Sequence, residues 1–128
     1  MADRDAMADS SYPIEGQIIL LAGTRASIPL DQLPELLERV HTYLQENRET
    51  YDREYERIDG PKEADYVCAE SGHWDSIGTE LGLSDREQDA VRRAHAAQFE
   101  RDGRRLDRSE EFETTLEIRD VLAINFDP

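Results

Sequence analysis

Lysine, cysteine and long apolar runs are scarce in this sequence of 128 residues, and each scarcity excludes a class of protein. Lys62 is the single lysine, and Cys68 is the single cysteine. A lone cysteine cannot form an internal disulfide, which is typical of a protein kept in a reducing cytoplasm. No apolar run approaches the length of about 18 residues that suggests a membrane-spanning helix, and the polar start MADRD lacks the apolar stretch of a signal peptide. We therefore expect a cytoplasmic protein that does not enter a membrane.

The motifs of common enzyme classes are also missing. The sequence contains no glycine-rich phosphate loop, no Gly-x-Ser-x-Gly nucleophile motif and no His-Glu-x2-His zinc motif. Cys68 and His73 have a spacing that matches no usual zinc site, and His95 lies much further along the chain. Carboxylates are so numerous that no pair stands out as a general acid and base. We expect no catalytic residues, no metal site and no cofactor, and we interpret the chain as a protein that is not an enzyme.

Acidic residues outnumber basic ones by two to one: 30 Asp and Glu against 15 Lys and Arg give a net charge of −15. Such a charge weakens the compact state by self-repulsion and repels nucleic acid. One interpretation is an acidic protein that mimics nucleic acid or binds basic surfaces. The other is adaptation to molar salt, where the Debye length falls to about 3 Å and the repulsion is screened. The acids are spread along the whole chain and lysine is nearly absent, which favours a halophilic protein.

The hydrophobic pattern predicts a single α+β domain. Residues 1–12 are small and polar, so we expect them to be disordered, and we expect the domain to occupy residues 13–128. Residues 17–22 and 26–30 are apolar segments on either side of a Gly-Thr-Arg turn, which predicts an N-terminal β-hairpin.

One long helix is predicted near residues 31–57. Asp31 suits its N-cap, and apolar residues at helical spacing form its core-facing side: Leu33, Leu36, Leu37, Val40 and Leu44. Beyond them the stripe thins to a loose heptad pattern with polar residues at two seam positions, Asn47 and Glu54. Two interpretations are open: the far end covers a small sheet, or it forms the seam of a homodimer. The polar seam positions favour the first.

The rest of the domain is predicted to contain two strands and three shorter helices. The strands are residues 64–69 and 121–126, although the second segment also suits the last turns of a helix. The helices are Trp74–Leu81, which ends before Gly82, a helix that begins at a capping box on Ser84 and ends at Gly103, and residues 110–119. The expected architecture is a small antiparallel sheet packed with three to four helices, and we expect Trp74 to be buried between two of them.

The segment HWDSIGTELGLSDREQDAVRRAH, residues 73–95, carries the most information. Its core, IGTELGLS, resembles the first helix and turn of a helix-turn-helix, with Gly78 allowing close helix approach and Gly82 making the turn. Gln88 stands where that motif usually has a branched apolar residue, and acidic residues open the candidate recognition helix. Residues 71–95 also resemble the second and third helices of death-fold interaction bundles.

This segment and the following DGRRLDRSEEFETTLEIRD together resemble a family of small haloarchaeal proteins of unknown function. The similarity covers most of the chain after the predicted hairpin. It implies a salt-loving archaeal cytoplasm and supplies neither an activity nor catalytic residues.

Arginines concentrate in residues 92–108, whose local net charge is +3 in an otherwise acidic chain. This segment is the candidate site for an anion or a partner, and its six arginines are Arg92, Arg93, Arg101, Arg104, Arg105 and Arg108. The alternative is that they pair with the chain's own carboxylates, such as Glu100, Glu110 and Glu111. The sequence therefore favours a non-enzymatic interaction or regulatory module with an unknown protein partner. The competing hypothesis is a helix-turn-helix-like DNA-binding regulator that uses residues 71–108.

Overall fold

The computed structural model describes residues 13–29, 31–61 and 65–126, so the segment 1–12 that was predicted to be disordered lies outside the described residues. Within these ranges the fold is α+β, as predicted. The helices are α1 Gly16–Ala26, α2 Gln32–Glu46, α3 Arg48–Glu54, α4 His73–Leu81, α5 Asp85–Arg105 and α6 Ser109–Ile118. The strands are β1 Glu56–Ile58, β2 Asp65–Glu70 and β3 Arg119–Ile124.

The three strands form one antiparallel sheet in the order β1-β2-β3. The strands predicted at 64–69 and 121–126 are confirmed as β2 and β3, and Cys68 pairs with Glu56 on one side and Val121 on the other. Strand β1 was not predicted, because residues 56–58 were assigned to the end of the long helix. The backbone leaves the helix at Tyr55, whose φ of −122° and ψ of 154° are extended.

The predicted N-terminal hairpin is wrong, because residues 16–26 form helix α1. Ile18, Ala22 and Ala26 recur at intervals of four and face the core, which is helical and not strand periodicity. A short apolar run does not distinguish a buried strand from a helix, and here the helix is the solution. The turn comes later than expected, at Ser27, which adopts a left-handed conformation with φ 59° and closes the helix.

The long helix predicted near residues 31–57 is present as two consecutive helices, α2 and α3, with Asn47 between them. The Asn47 side chain donates a hydrogen bond of 2.8 Å to the Tyr43 carbonyl, an alternative to continuing the helix. The leucine and valine side chains of the apolar stripe are at most 3% exposed. They pack within the monomer, so a homodimer through this helix, which stays a prediction, would have to use its charged face.

The α4–turn–α5 segment follows the sequence closely. The capping box is confirmed: Ser84 Oγ accepts from the Glu87 backbone N–H at 3.2 Å, and Glu87 accepts from the Ser84 N–H at 2.8 Å. Gly82 has φ 69° and ends α4. Gly103 does not end α5, which continues to Arg105, because the left-handed residue that closes it is Asp107, with φ 59°; a Cβ at Gly103 would meet the ring of Phe112.

Buried aromatic side chains join the sheet to α5 and α6. Trp74 is 2% exposed, as predicted, and lies against the His95 ring with centroids 4.9 Å apart. Phe99 stacks on Phe112 at 4.1 Å and meets Tyr66 of β2 edge-on at 4.9 Å. Helix α5 therefore runs through the centre of the domain, and its outward side is the surface on which the candidate site lies.

Candidate functional site

The six candidate arginines do not form one surface, because they divide into three groups along and after α5. Arg92 and Arg93 form the first group and share one carboxylate. The Arg92 guanidinium donates to one oxygen of Asp89 and the Arg93 guanidinium to the other, each at 2.6 Å. Burial raises the pKa of Asp89, but the hydrogen bonds from Arg93 and Arg92 outweigh this and lower its pKa overall. This pair of ion pairs holds both arginines against the first half of the helix.

Arg101 and Arg105 form the second group, and both bind Glu15 at the start of α1. Arg101 donates to Glu15 at 3.1 Å, and Arg105 donates to both of its carboxylate oxygens. Gln98 accepts a hydrogen bond of 2.8 Å from the Glu15 backbone N–H and donates one of 2.8 Å to the Glu15 carboxylate. The hydrogen bond from Arg105 is the main reason that the pKa of Glu15 falls to about 2. This network fastens α1 to α5.

The network extends into the core through Asp102. Arg105 also donates to Asp102 at 2.9 Å, and the Tyr66 hydroxyl donates to the same carboxylate at 2.5 Å. Burial and this hydrogen bond raise the pKa of Tyr66 well above its usual value. A buried carboxylate is tolerated here because both of its oxygens have partners. The second group of arginines therefore has an internal structural role.

The third group consists of Arg104 and Arg108. Arg108 donates to Glu111 at 2.9 and 2.6 Å and lies 5.0 Å from the Phe112 ring centre. Arg104 is exposed and makes no ion pair with the described residues. Among the described residues, four carboxylates therefore pair with the candidate arginines. Glu15 is distant in sequence, Asp89 and Asp102 lie on α5 itself, and Glu111 lies on α6.

The acidic start of α5 is engaged with the rest of the domain. Glu87 accepts a hydrogen bond of 2.8 Å from Gln32 in addition to its capping role. Gln88, the residue that departs from the helix-turn-helix pattern, lies over Gly78 and donates to Asp75 at 2.5 Å. A polar side chain at this position therefore links α4 to α5, where the familiar motif uses an apolar contact.

Three adjoining hollows lie along the outer side of α5, and Arg92 lines all of them. We call the hollow of about 210 Å³ between α1 and α5 the α1–α5 groove; its lining residues are Leu21, Ala22, Arg25, Arg92, Arg93, Ala96, Ala97 and Glu100. The second hollow, of about 250 Å³, shares Arg92, Ala96 and Glu100 and reaches to Leu116 of α6. The third, of about 400 Å³, lies at the start of α4 and α5.

The α1–α5 groove combines apolar and cationic side chains. Leu21 on its edge is 50% exposed, and the neighbouring Leu20 is 52% exposed. Arg25, at the end of α1, makes no ion pair with the part of the chain that the structure describes. Glu100 is the single acidic residue among the lining side chains. The lining of the α1–α5 groove is therefore locally basic and apolar, although the chain has a net charge of −15.

The three side chains considered for metal or nucleophilic chemistry are held in separate environments. His95 Nδ1 accepts a hydrogen bond of 2.9 Å from the Ala123 N–H, and burial lowers the pKa of His95 to about 3. His73 Nε2 lies 2.7 Å from the Tyr51 hydroxyl. Burial raises the pKa of the Cys68 thiol, the opposite of what activates a cysteine nucleophile. Within the described residues, no three His, Cys, Asp or Glu side chains converge as a metal ion would require.

Residues 12–125 match the model of a protein family described as a domain of unknown function (DUF8048). No curated protein and no solved structure matches the chain. In residues 13–29, 31–61 and 65–126, no helix combines the length and apolar character needed to cross a bilayer. The resemblance to a family of unknown function is thereby confirmed, while the haloarchaeal origin and the helix-turn-helix likeness stay predictions.

Proposed function

The chain belongs to the family of the domain of unknown function DUF8048, and from that premise we propose that it is a non-enzymatic interaction module of a salt-rich cytoplasm. It binds a partner protein through the α1–α5 groove and the adjoining hollow that reaches α6. The site itself must suggest the activity, because the family description names none.

The observation that carries this proposal is the position of exposed apolar side chains next to a concave surface. Leu21 is half exposed at the edge of the groove, and the floor beside it is built from Ala22, Ala96 and Ala97. Apolar side chains beside a shallow hollow with a charged rim are the usual composition of a protein-binding surface. The groove therefore has the composition of a partner-binding surface.

Molar salt is compatible with the way this domain uses its charges. Its arginine–carboxylate contacts are at most 3.4 Å long, comparable to the Debye length of about 3 Å at 1 M salt. Contacts at this distance survive screening, whereas repulsion between the dispersed acids is suppressed. We therefore propose that the acidity is an adaptation to salt and that the partner is recognised by short-range contacts.

A DNA-binding regulator is the second candidate, since α4, the turn and α5 follow one another as in a helix-turn-helix. Two features favour a protein partner instead. Arg101, Arg105 and Arg108 are engaged by carboxylates of the chain itself, and the start of α5 carries acidic residues. Each phosphate contact would also pay a counterion penalty in concentrated salt, which weakens DNA binding steeply.

Site-specific photocross-linking tests the proposal. A photoreactive residue replaces either Leu21 in the groove or Glu113 on α6, an exposed control position outside it. Each chain is irradiated with an extract of its native host in 2 M KCl. We expect a protein adduct from position 21 and none from position 113. An excess of wild-type chain without the photoreactive residue should prevent formation of this adduct, and an excess of Ala96→Arg chain should not.

Three outcomes would contradict the proposal. These are an absence of protein adducts at position 21, equal adducts from both positions, and an adduct to nucleic acid that the wild-type chain competes away. The last outcome would support the DNA-binding alternative. Circular dichroism of each variant shows whether the substitution has left the fold intact.

A further inference from the structure

We infer that the α1–α5 groove takes an acidic amphipathic helix of the partner, with aliphatic side chains against Leu21 and the alanine floor and carboxylates on Arg25 and Arg93. This inference rests on the proposed function and specifies the chemistry of the partner. Two features support it: the shape of the groove and the unused donors of its arginines.

The shape follows from the way α1 lies along α5. Glu15 at the start of α1 binds Arg101 and Arg105 near the end of α5, whereas Arg25 at the end of α1 lines a hollow with Arg92 and Arg93. The two helices are therefore antiparallel, and alanines at their contact leave a groove between them. A groove between two helices accepts the side-chain ridge of a third helix, a common mode of peptide recognition.

The donors follow from the hydrogen bonds of the three arginines. Arg92 and Arg93 each donate one N–H to Asp89, so four of the five donors on each guanidinium have no partner among the described residues. Arg25 has no ion pair within the described residues. Guanidinium groups bind carboxylates in a bidentate manner, and such contacts are short enough to persist in molar salt. An occupant with carboxylates beside its aliphatic residues therefore complements this groove.

The competing occupants are a basic amphipathic helix and a second copy of this chain. A basic helix would place its cations next to three arginines, with Glu100 as the one acid in the lining. A second copy would present the same arginines and leucine edge to one another. Both arrangements leave the guanidinium donors of the groove without carboxylate acceptors, which an acidic helix supplies.

Selection from two displayed peptide libraries in 2 M KCl tests the inference. Both libraries contain 16-residue helices with aliphatic residues at positions i, i+3, i+4 and i+7. The remaining positions are Glu, Asp, Gln or Ser in one library and Lys, Arg, Gln or Ser in the other. We expect the wild-type chain to enrich the acidic library.

Charge reversal provides the matched control. Arg25→Glu with Arg93→Glu should weaken the selected acidic peptides by about tenfold or more and favour the basic library. Arg53→Glu with Arg104→Glu reverses two exposed arginines outside the groove and should leave the selection unchanged. Circular dichroism in 2 M KCl confirms that each double variant is folded.

Several results would overturn the inference: enrichment of the basic library, enrichment of neither library, or acidic peptides that bind the two double variants equally. A wild-type dimer in light scattering that Ala96→Arg converts to a monomer would assign the groove to a second copy. A protein adduct at position 21 together with enrichment of the basic library would refute this inference and leave the proposed function standing. Enrichment of the acidic library without any adduct at position 21 would refute the proposed function and leave the preference of the groove for an acidic helix standing.

Discussion

Gly103 on α5 should not accept even a single methyl group. An alanine in a helix interior normally stabilises a protein by up to about 1 kcal/mol relative to glycine. At position 103, however, a Cβ would lie 2.8 Å from Cδ2 and 2.9 Å from Cγ of Phe112. Phe112 is fully buried and stacks on Phe99 at 4.1 Å, so its ring has no space into which to move.

Overpacking costs about 1–3 kcal/mol, and a stacked, fully buried ring places this site in the upper part of that range, at about 2–3 kcal/mol. After a gain of about 1 kcal/mol in helix propensity, Gly103→Ala should lower the free energy of unfolding by about 1–2 kcal/mol. The melting temperature should fall by several degrees, since about 1 kcal/mol corresponds to roughly 3–6 °C in a domain of this size. The assay is denaturant and thermal unfolding followed by circular dichroism in 2 M KCl.

Gly78→Ala, at the contact of α4 with α5, is the matched control. Its Cβ would overlap Oε1 of Gln88 and lie 2.9 Å from Cδ, but this flexible end can swing away at the loss of one hydrogen bond to Asp75. That loss of about 1 kcal/mol offsets the gain in propensity, so Gly78→Ala should be close to neutral. If Gly103→Ala is as stable as wild type, the packing of α6 on α5 described above is wrong.

Three further predictions follow from the charges and the core. Lowering KCl from 2 M to about 0.1 M, where the Debye length reaches about 10 Å, should lower the melting temperature; an unchanged value would contradict the adaptation to salt. Trp74→Ala should lower the free energy of unfolding by about 3–5 kcal/mol in equilibrium denaturation, because the indole is 2% exposed and packs on His95. A loss below about 1 kcal/mol would show that the site is not tightly packed. Glu15 has a folded-state pKa of about 2 against an ordinary value of 4.5, so its contribution to the free energy of unfolding is present above pH 4.5 and is lost as the pH falls towards 2. Unfolding titrations should show this loss in wild type and a flatter dependence in Glu15→Gln, and identical pH profiles would refute the role of the Glu15 network.

The sequence predicted the elements whose signals are local. Ser84 and Glu87 form their capping box, Gly82 ends α4 with a positive φ, and the β-branched and aromatic run of β2 forms the central strand. These outcomes depend on the few residues next to each position, so a reading of short segments identifies them.

The elements that were misassigned depend on contacts between distant residues. Helix α1 is an apolar run that also suits a strand, and its helical form is fixed by packing on α5 and by the binding of Glu15 to Arg101 and Arg105, more than 80 positions away. Gly103 reads locally as a helix end, but Phe112 of the next helix occupies the space of its side chain. Propensity alone cannot determine such positions, because tertiary packing overrides it.

The candidate site was predicted in part. The arginine-rich segment of 92–108 was singled out from charge alone, and Arg92 and Arg93 do line the α1–α5 groove. Leu21 and Arg25 were missed, because they were assigned to a hairpin. If residues 16–26 are interpreted as a helix, two adjacent leucines are exposed beside a stripe of buried residues at intervals of four. This pattern is the signal that points to the groove.

The most direct test of the account is the affinity of the cross-linked partner for the wild-type chain and for Ala96→Arg, measured by calorimetry in 2 M KCl. Ala96 lines both the α1–α5 groove and the adjoining hollow, so a long charged side chain at this position obstructs both. We predict that Ala96→Arg weakens binding by about thirtyfold or more, since about 2 kcal/mol is typical of a central interface position. An Arg104→Glu chain should bind as wild type does. An unchanged affinity for Ala96→Arg, or a larger loss for Arg104→Glu, would contradict the assignment of this surface as the binding site.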